Sequence, residues 1–170
     1  MSRGFEVVKL EARKHLKDTP DLTFDERVEI NGKRKYSAPV KLPTRADKGS
    51  AGYDFYLLDD VELLPAQKTI VWTDVKAFME EDELLEIYIR SSLAIKNGIM
   101  LSNNVGIVDS SYYSNEDNDG NIGIALVNTS GKAVKLKRGE RIAQGIFKKF
   151  LTSDDKPESE RTGGFGSSGK

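Results

Sequence analysis

The chain has 170 residues, which is enough for one domain with a sizeable hydrophobic core. Its 26 basic and 27 acidic residues leave a formal net charge of -1, so the sequence has no general attraction for nucleic acid or for an anionic membrane. The sequence has no cysteine, which excludes disulfides and thiolate metal sites, and a single histidine, His15, excludes a histidine-rich metal centre. No apolar run approaches the roughly 18 residues of a membrane-spanning helix.

The first 44 residues are charged and mixed in pattern, and we expect them to form an extension (1–44) that packs on or beside the main body. The stretch FEVVKL at 5–10 predicts a strand, whereas 11–18 fits either a helical turn or an exposed strand. Alternation over 23–32 ends in an Asn-Gly pair, which is typical of a tight hairpin turn.

From residue 51 the pattern changes to short apolar stretches separated by turn residues, which predicts an all-β barrel or sandwich. The predicted strands fall within 51–58, 61–65, 68–75, 83–90, 98–109, 121–128, 133–137 and 141–150. One short helix is expected at 92–98, because it starts with serine, contains alanine and ends in an Asn-Gly pair. We place the body at 45–150 and a linker with a glycine-rich arm at 151–170.

Several stretches combine residue types that can perform chemistry. In AGYDF, Asp54 lies within an apolar strand, so its carboxylate must be paired, hydrated or close to a cation. In RSSLA, Arg90 and Ser91 lie where a strand ends and a helix begins, an arrangement suited to binding an anion. In NNVGIVDSSYY, Asp109 follows an apolar strand and Tyr112 lies three residues further on.

A further stretch, RGERIAQ, contains Arg138, Arg141 and Gln144. Taken alone, each stretch has an ordinary structural interpretation. An aspartate after a strand commonly forms a turn, Arg-Ser-Ser commonly caps a helix, and arginines commonly form surface ion pairs. The C-terminal GGFGSSG is likewise common in disordered termini. It is their joint occurrence in this order that indicates a function.

In this order the motifs resemble those of the trimeric dUTP pyrophosphatase (dUTPase) family, from Ala51 to Lys170. The motifs that carry the resemblance are AGYDF (51–55), RSSLA (90–94), GIVDSSY (106–112) with GNIGIALVN (120–128), RGERIAQ (138–144) and GGFGSSG (163–169). The resemblance implies a distorted jelly-roll β-barrel subunit and a homotrimer whose active sites are shared among subunits. It also implies a mobile C-terminal arm that closes over the bound nucleotide.

The resemblance further implies a reaction in which water cleaves dUTP to dUMP and pyrophosphate with the help of Mg²⁺. Asp109 matches the base that activates the water, Tyr112 the residue that leaves no room for a ribose 2′-hydroxyl, and Asp54 the residue that holds water around Mg²⁺. The matching phosphate-binding positions are Arg90, Ser91, Gln144, Arg161, Ser167 and Ser168. The matching nucleoside-binding positions are Asn103, Gly106, Tyr112, Ile122 and Phe165, with Phe165 stacking on uracil.

The sequence departs from the family pattern at three places. Ser92 stands where the family usually has glycine, and Arg161 is one residue closer to GGFG than is common. After Tyr113, an extra stretch SNEDND (114–119) precedes GNIG. We interpret this insert either as a solvated hairpin tip or as a loop that binds a partner. Arg141 is expected to support the site or a subunit interface.

An insertion of this kind, together with the long N-terminal segment, looks like the dUTPases of staphylococcal phages. Those enzymes, as a group, bind the Stl repressor of pathogenicity islands. If that role carries over, a Stl-type repressor would compete with dUTP at this loop. The contact candidates are Tyr112, Tyr113, Asn115, Glu116 and Asp117.

Two other functions are compatible with the motifs. A dCTP deaminase shares the fold and would release ammonia, and a nucleotide-sensing regulatory protein would bind dUTP without turnover. The uninterrupted GIVDSSY and GGFGSSG motifs favour hydrolysis over both. We expect a cytoplasmic enzyme whose partners are dUTP and its own subunits, with no direct contact to nucleic acid or membrane.

Overall fold

The computed structural model describes residues 2–18, 27–30, 33–37 and 39–154. This part of the chain is built almost wholly from strands, which confirms the predicted all-β class. The predicted short helix is present as α1, Ser91–Asn97, and Gly98 ends it in the left-handed conformation (φ 66°). None of the helices in these ranges is long and apolar enough to cross a membrane.

The described strands pair antiparallel throughout. In chain order they are β1 Gly4–Val7, β2 Leu16–Asp18, β3 Arg27–Ile30, β4 Lys33–Ser37, β5 Thr44–Arg45, β6 Tyr53–Tyr56, β7 Val61–Leu63, β8 Lys68–Trp72, β9 Val75–Phe78, β10 Glu83–Ile89, β11 Ile99–Leu101, β12 Gly106–Asp109, β13 Gly123–Asn128, β14 Val134–Leu136 and β15 Arg141–Lys149. Two 3₁₀ turns accompany them, Leu10–Ala12 and Ser110–Tyr112.

The largest sheet has the strand order β12-β10-β15-β6-β5, with β10 and β15 at its centre. Strand β10, which lies within the predicted range 83–90, alternates: Leu85 and Ile87 point into the core and are almost fully buried. Gly145 of β15 leaves room there, because a Cβ at this position would lie 2.9 Å from both Leu85 and Phe55. This sheet therefore carries the AGYDF, RSSLA, GIVD and RIAQ segments on neighbouring strands.

Smaller sheets complete the body. Strands β11-β13-β8 form one sheet, β14-β7 and β1-β9 form two-stranded sheets, and β2-β4-β3 form a sheet within the N-terminal segment. The pairing of Ile30 with Lys33 agrees with the hairpin predicted from the Asn-Gly pair between them. The side chains of β2-β4-β3 beyond Leu16 lie outside the described set.

The first strand is part of the body. Strand β1 pairs with β9, and the ring of Phe5 lies 5.3 Å from Tyr53, 5.6 Å from Phe55 and 5.2 Å from Phe147, centroid to centroid. Aromatic pairs at such separations add to the stabilisation that burial provides. The predicted strand at 5–10 is thus real, although its last residue begins the 3₁₀ turn.

A buried carboxylate, Asp74, fastens the segment after β1 to the body. It accepts hydrogen bonds from the backbone N–H of Lys14 at 2.9 Å and from Nδ2 of Asn121 at 2.8 Å. Nδ1 of His15 lies 3.1 Å from the same carboxylate. The single histidine of the chain is therefore used in this cluster.

A second buried carboxylate, Asp119, also fastens the segment after β1 to the body. It accepts the backbone N–H of Lys9 at 2.7 Å and lies 3.1 Å from the ammonium group of Lys76. Asp119 and Lys76 are both buried. A buried charge pair is tolerated when each ion is compensated, as it is here.

These two carboxylates predict a pH dependence of stability. Burial alone raises the pKa of Asp74 and of Asp119, but the hydrogen bonds described above outweigh it and hold both pKa values below the ordinary range. A lowered folded-state pKa gives stability above the unfolded value of about 3.9, and that stability is lost as the pH falls through the folded-state pKa.

The free energy of unfolding, measured by urea denaturation, should therefore fall between about pH 5 and about pH 2. In Asp74→Asn the fall should be smaller, because one of the two carboxylates is gone. Asparagine tolerates the left-handed backbone of Asp74 (φ 53°), so the variant can keep the local conformation. An unchanged fall in the variant would contradict the role given to Asp74.

Candidate active site

A cleft of about 270 Å³ lies where β6, β15 and the end of β10 meet. The strand register brings the residues of this cleft together. Asp54 of β6 lies opposite Gln144 of β15, and Gln144 lies opposite Tyr88 of β10. We call it the cationic cleft. Its lining residues are Ala46, Ser50, Gly52, Asp54, Arg90, Ser91, Ser92, Arg141 and Gln144.

Two arginines and one carboxylate set the charge of the cationic cleft. Oδ2 of Asp54 accepts a hydrogen bond from Nη1 of Arg141 at 2.9 Å, and Oδ1 lies 3.4 Å from Nε of Arg90. This confirms the prediction that the Asp54 carboxylate is paired, hydrated or close to a cation. Two cations against one carboxylate leave a positive excess, which suits an anionic ligand.

The two serines of the RSSLA motif both line the cationic cleft. Ser91 and Ser92 are exposed at the first turn of α1, and the residue before the helix, Arg90, makes no side-chain capping bond. Arg138, in contrast, does not line the cleft. Its backbone N–H donates to Asp60 at 2.9 Å, so its motif position serves a turn.

A second recess, the apolar cavity, has a volume of about 60 Å³. It is lined by Ile87, Leu101, Asn103, Gly106, Ile107, Val108, Tyr112, Ile122, Gly123, Ile124 and Ala125. Four residues predicted for the nucleoside site, namely Asn103, Gly106, Tyr112 and Ile122, thus share one cavity. A larger residue at Gly106 would crowd the cavity wall, because a Cβ there would lie 3.1 Å from Cβ of Ile87.

Asp109 lies at the end of β12, outside both recesses. It is exposed, it follows the buried Val108, and its side chain does not cap the 3₁₀ turn that comes next. It pairs with Leu84 at the start of β10, whereas Ser91 follows the end of β10. At about 3.3 Å per residue, Asp109 and Ser91 of one chain are therefore about 20 Å apart.

The insert 114–119 is exposed at Ser114, Glu116 and Asp117, but its last two residues are buried, which neither of the two interpretations expected. Asn118 and Asp119 are buried, and the side chain of Asn115 accepts the backbone N–H groups of Asp117 and Asn118 at 3.0 and 3.1 Å. Asx turns of this kind are common for Asn and Asp, so the composition of the insert was a usable signal. Nothing in the sequence near Asp119 indicates that Lys76 is its partner.

This conformation changes the list of partner-contact candidates. Tyr112 is buried, so its side chain offers little surface to a partner protein, and its predicted partner contact stays a prediction. The side chain of Asn115 forms hydrogen bonds within the loop, and its Nδ2 donates to the backbone oxygen of Tyr112 at 2.8 Å. Glu116 and Asp117 remain exposed, and the hydroxyl of Tyr113 donates to Glu6 at 2.7 Å. The predicted arm residues Arg161, Phe165, Ser167 and Ser168 lie outside the described residues.

Comparison with known proteins gives one family. A family model described as dUTPase matches residues 38–169. The chain is 39% identical over 136 residues to a deoxyuridine 5′-triphosphate nucleotidohydrolase of Lactococcus lactis, which covers 78% of this chain and 91% of that protein.

Solved structures agree with the family match. A dUTPase from Streptococcus mutans is 35% identical with a TM-score of 0.66, covering 76% of this chain and 99% of that one. A Staphylococcus bacteriophage 80alpha dUTPase mutant with dUpNHpp is 25% identical with a TM-score of 0.60, covering 77% and 93%.

Proposed function

We propose, from the premise that this chain belongs to the dUTPase family and is a dUTP diphosphatase, that the cationic cleft binds the triphosphate and the apolar cavity binds deoxyuridine. The observation that carries this division is the composition of the cleft. Asp54, Arg90 with Ser91, and Gln144 come from three separate motifs and line one recess. The fold is the jelly-roll of the family.

The strand register supports a shared active site in a homotrimer. Asp109 has to reach the water that attacks the α-phosphate, and Ser91 has to reach the oxygen between the α- and β-phosphates. These positions are a few ångströms apart on one nucleotide, yet the two residues are about 20 Å apart along β10 of one chain. Asp109 of one subunit would therefore act with Ser91 of another.

One apolar sheet face is available for such an assembly. Ile70 on β8 and Met100 on β11 are both about half exposed, and their register places them on the same face as Val127. Contiguous exposed apolar surface commonly marks a protein–protein interface. We propose that subunits of the trimer cover this face.

In the proposed mechanism Asp109 accepts a proton from water while the water oxygen bonds to the α-phosphorus. The bond from the α-phosphorus to the bridging oxygen breaks, and pyrophosphate leaves. Ser91 donates to that bridging oxygen, and Arg90 and Gln144 bind the remaining phosphate oxygens, so charge is stabilised where it develops. Tyr112 occupies the space that a ribose 2′-hydroxyl would need.

The arm is assigned by the family resemblance. We propose that Phe165 stacks on uracil and that Arg161, Ser167 and Ser168 bind the terminal phosphates. Glycine-rich segments can bring backbone N–H groups close to phosphate oxygens. An arm of this kind excludes water once the nucleotide is bound.

The donor chemistry of the cationic cleft fits Mg²⁺ that arrives with the triphosphate. In the part of the chain that the structure describes, no three His, Cys, Asp or Glu residues form a metal-binding group. Mg²⁺ keeps several waters and often uses one carboxylate together with substrate phosphates. Asp54 would accept hydrogen bonds from metal-bound water, and the ion would neutralise charge on the triphosphate.

Replacing Gly52 by alanine should weaken dUTP binding. A methyl group there would collide with the side-chain oxygen of Gln144 and lie 3.0 Å from its Cβ, so Gln144 must leave its present position in the cleft. We expect KM for dUTP to rise about tenfold, the equivalent of one lost hydrogen bond. Steady-state kinetics measure it, and Gly131→Ala is the matched control because a Cβ at Gly131 meets nothing within 4 Å. Equal KM values in the two variants would contradict the placement of Gln144.

Isotopically labelled water tests the proposed direction of attack. If water attacks the α-phosphorus, the heavy oxygen enters dUMP and the pyrophosphate stays unlabelled. Mass spectrometry of the two products after complete turnover distinguishes them. Label in the pyrophosphate would mean attack at the β-phosphorus, and the proposed roles of Asp109 and Ser91 would both have to be abandoned.

A second role, binding of a Stl-type repressor, rests on the resemblance to staphylococcal phage enzymes and on the exposed acidic side chains of Glu116 and Asp117. We propose those two, with Tyr113, as its contacts. Charge reversal at Glu116 and Asp117 should then abolish repressor binding, and dUTP should weaken it. We further propose that the enzyme acts in the cytoplasm.

A further inference from the structure

The loop Ser114–Gly120 has a structural relation to Tyr112 that no motif describes. We propose that Asn118 of this loop is a positioning residue, which holds the Tyr112 ring and thereby sets the discrimination between deoxyribose and ribose. This inference rests on the proposed function of Tyr112 as the group that excludes the 2′-hydroxyl.

The hydroxyl of Tyr112 is held from two sides. It donates to the backbone oxygen of Asn121 at 2.9 Å and accepts from Nδ2 of Asn118 at 2.8 Å. The same Nδ2 lies 3.3 Å from the Asn121 oxygen, so the three groups form a closed triangle. All of these atoms are buried, where a hydrogen bond is costly to break without replacement.

Asn118 is itself held by the loop. Its Oδ1 accepts from the backbone N–H of Gly120 at 3.1 Å and from Nδ2 of Asn115 at 2.9 Å. Gly120 adopts φ 80°, and a Cβ there would lie 2.8 Å from the backbone oxygen of Tyr112. The loop therefore packs directly on the backbone of Tyr112, and Asn118 has one orientation that satisfies every partner.

The acceptor carbonyl of Asn121 is equally fixed. The Asn121 side chain donates to Asp74 at 2.8 Å and accepts the Asp74 backbone N–H at 3.0 Å. The next residue, Ile122, lines the apolar cavity together with Tyr112. The triangle thus connects the ring that is proposed to face the sugar with the backbone next to another residue that lines the same cavity.

Steric exclusion is only as selective as the excluding wall is rigid. If the Tyr112 ring could swing away freely, UTP would make room for its 2′-hydroxyl at little cost. With Asn118 in place, that movement breaks a buried hydrogen bond to the Tyr112 hydroxyl. The loss of that bond should raise the ratio of kcat/KM for UTP to kcat/KM for dUTP about tenfold.

Asn118→Asp is the sharpest test, because it keeps the shape and the Oδ1 acceptor but replaces the donor. At about pH 8 an ionised aspartate only accepts hydrogen bonds. Asn118→Asp should raise the UTP/dUTP ratio, and Tyr112→Phe, which removes both hydrogen bonds of the hydroxyl, should raise it at least as much. The double variant should not exceed Tyr112→Phe, because without the hydroxyl residue 118 has no hydrogen bond to the ring. Additive effects would overturn the inference.

Asn128→Asp separates positioning from general destabilisation. Asn128 is a fully buried asparagine whose Nδ2 donates to the backbone oxygens of Leu63 and Lys132, and it does not line the apolar cavity. It should lower stability and leave the UTP/dUTP ratio unchanged. An equal rise in Asn128→Asp would show that loosening the fold is sufficient, and would refute a specific role of Asn118.

Tyr112→Ala distinguishes failure of this inference from failure of the proposed function. If Tyr112→Ala raises the UTP/dUTP ratio and Asn118→Asp does not, Tyr112 excludes the 2′-hydroxyl as proposed but Asn118 does not position it. If Tyr112→Ala leaves the ratio unchanged, the proposed role of Tyr112 is wrong and the inference falls with it.

Discussion

Replacement of Asp109 by asparagine should lower kcat for dUTP by about two to four orders of magnitude, the range typical of losing a general base. Asparagine has the same shape and cannot take a proton from water. Asp109 is exposed at the end of β12, with Val108 as the last buried residue before it. The substitution should therefore leave the fold and the two recesses as they are.

The measurement compares the rate of pyrophosphate release with the affinity for a non-hydrolysable dUTP analogue. We expect the rate to collapse and the affinity to stay close to that of the wild type. Asp117→Asn removes the same charge from an exposed position in the neighbouring loop and should retain full activity. Retention of most of the wild-type kcat in Asp109→Asn would require another base.

Replacement of Lys76 by methionine should lower the free energy of unfolding by about 3–5 kcal/mol, the usual cost of removing one partner of a buried ion pair. Lys76 lies 3.1 Å from Asp119, and the two side chains are only 7% and 6% exposed. In the variant the backbone N–H of Lys9 still binds Asp119, and the exposed ammonium group of Lys9, 3.9 Å away, compensates its charge only in part. Adding Asp119→Asn should recover part of the loss, because it removes that charge.

Urea denaturation at a fixed protein concentration measures this effect, since oligomer stability depends on concentration. Lys135→Met is the matched control. Its partner Glu62 lies 3.5 Å away and both side chains are largely exposed, so the change should stay within about 0.5 kcal/mol. Similar losses in the two lysine variants would argue against a special role for the buried pair.

Local patterns predicted the strands and much of the site. Short apolar stretches between turn residues predicted strands such as β10, and the Asn-Gly pair predicted the end of α1. The position of Asp54 within an apolar strand predicted a carboxylate that is paired, hydrated or close to a cation, and two arginines lie beside it. Each of these depends on residues close in the sequence, so single-sequence reasoning reaches them.

Long-range partners could not be predicted in this way. Lys76 and Asp119 are 43 residues apart, and nothing near either residue indicates the other. The separation of Asp109 from Ser91 depends on the pairing of Leu84 with Asp109, which is a matter of register across the sheet. Sequence motifs therefore identified the chemical groups but not which of them one chain brings together.

The most direct test of the account is the rate of pyrophosphate release by the wild-type protein with Mg²⁺, measured side by side for dUTP, dCTP, dTTP and UTP. We predict rapid release from dUTP alone, because we propose that the apolar cavity binds deoxyuridine and that Tyr112 excludes a ribose, and we predict no ammonia from any nucleotide. Ammonia from dCTP would instead identify a deaminase. Tight binding of dUTP without pyrophosphate release would identify a nucleotide sensor, and either result would contradict the mechanism proposed for Asp109.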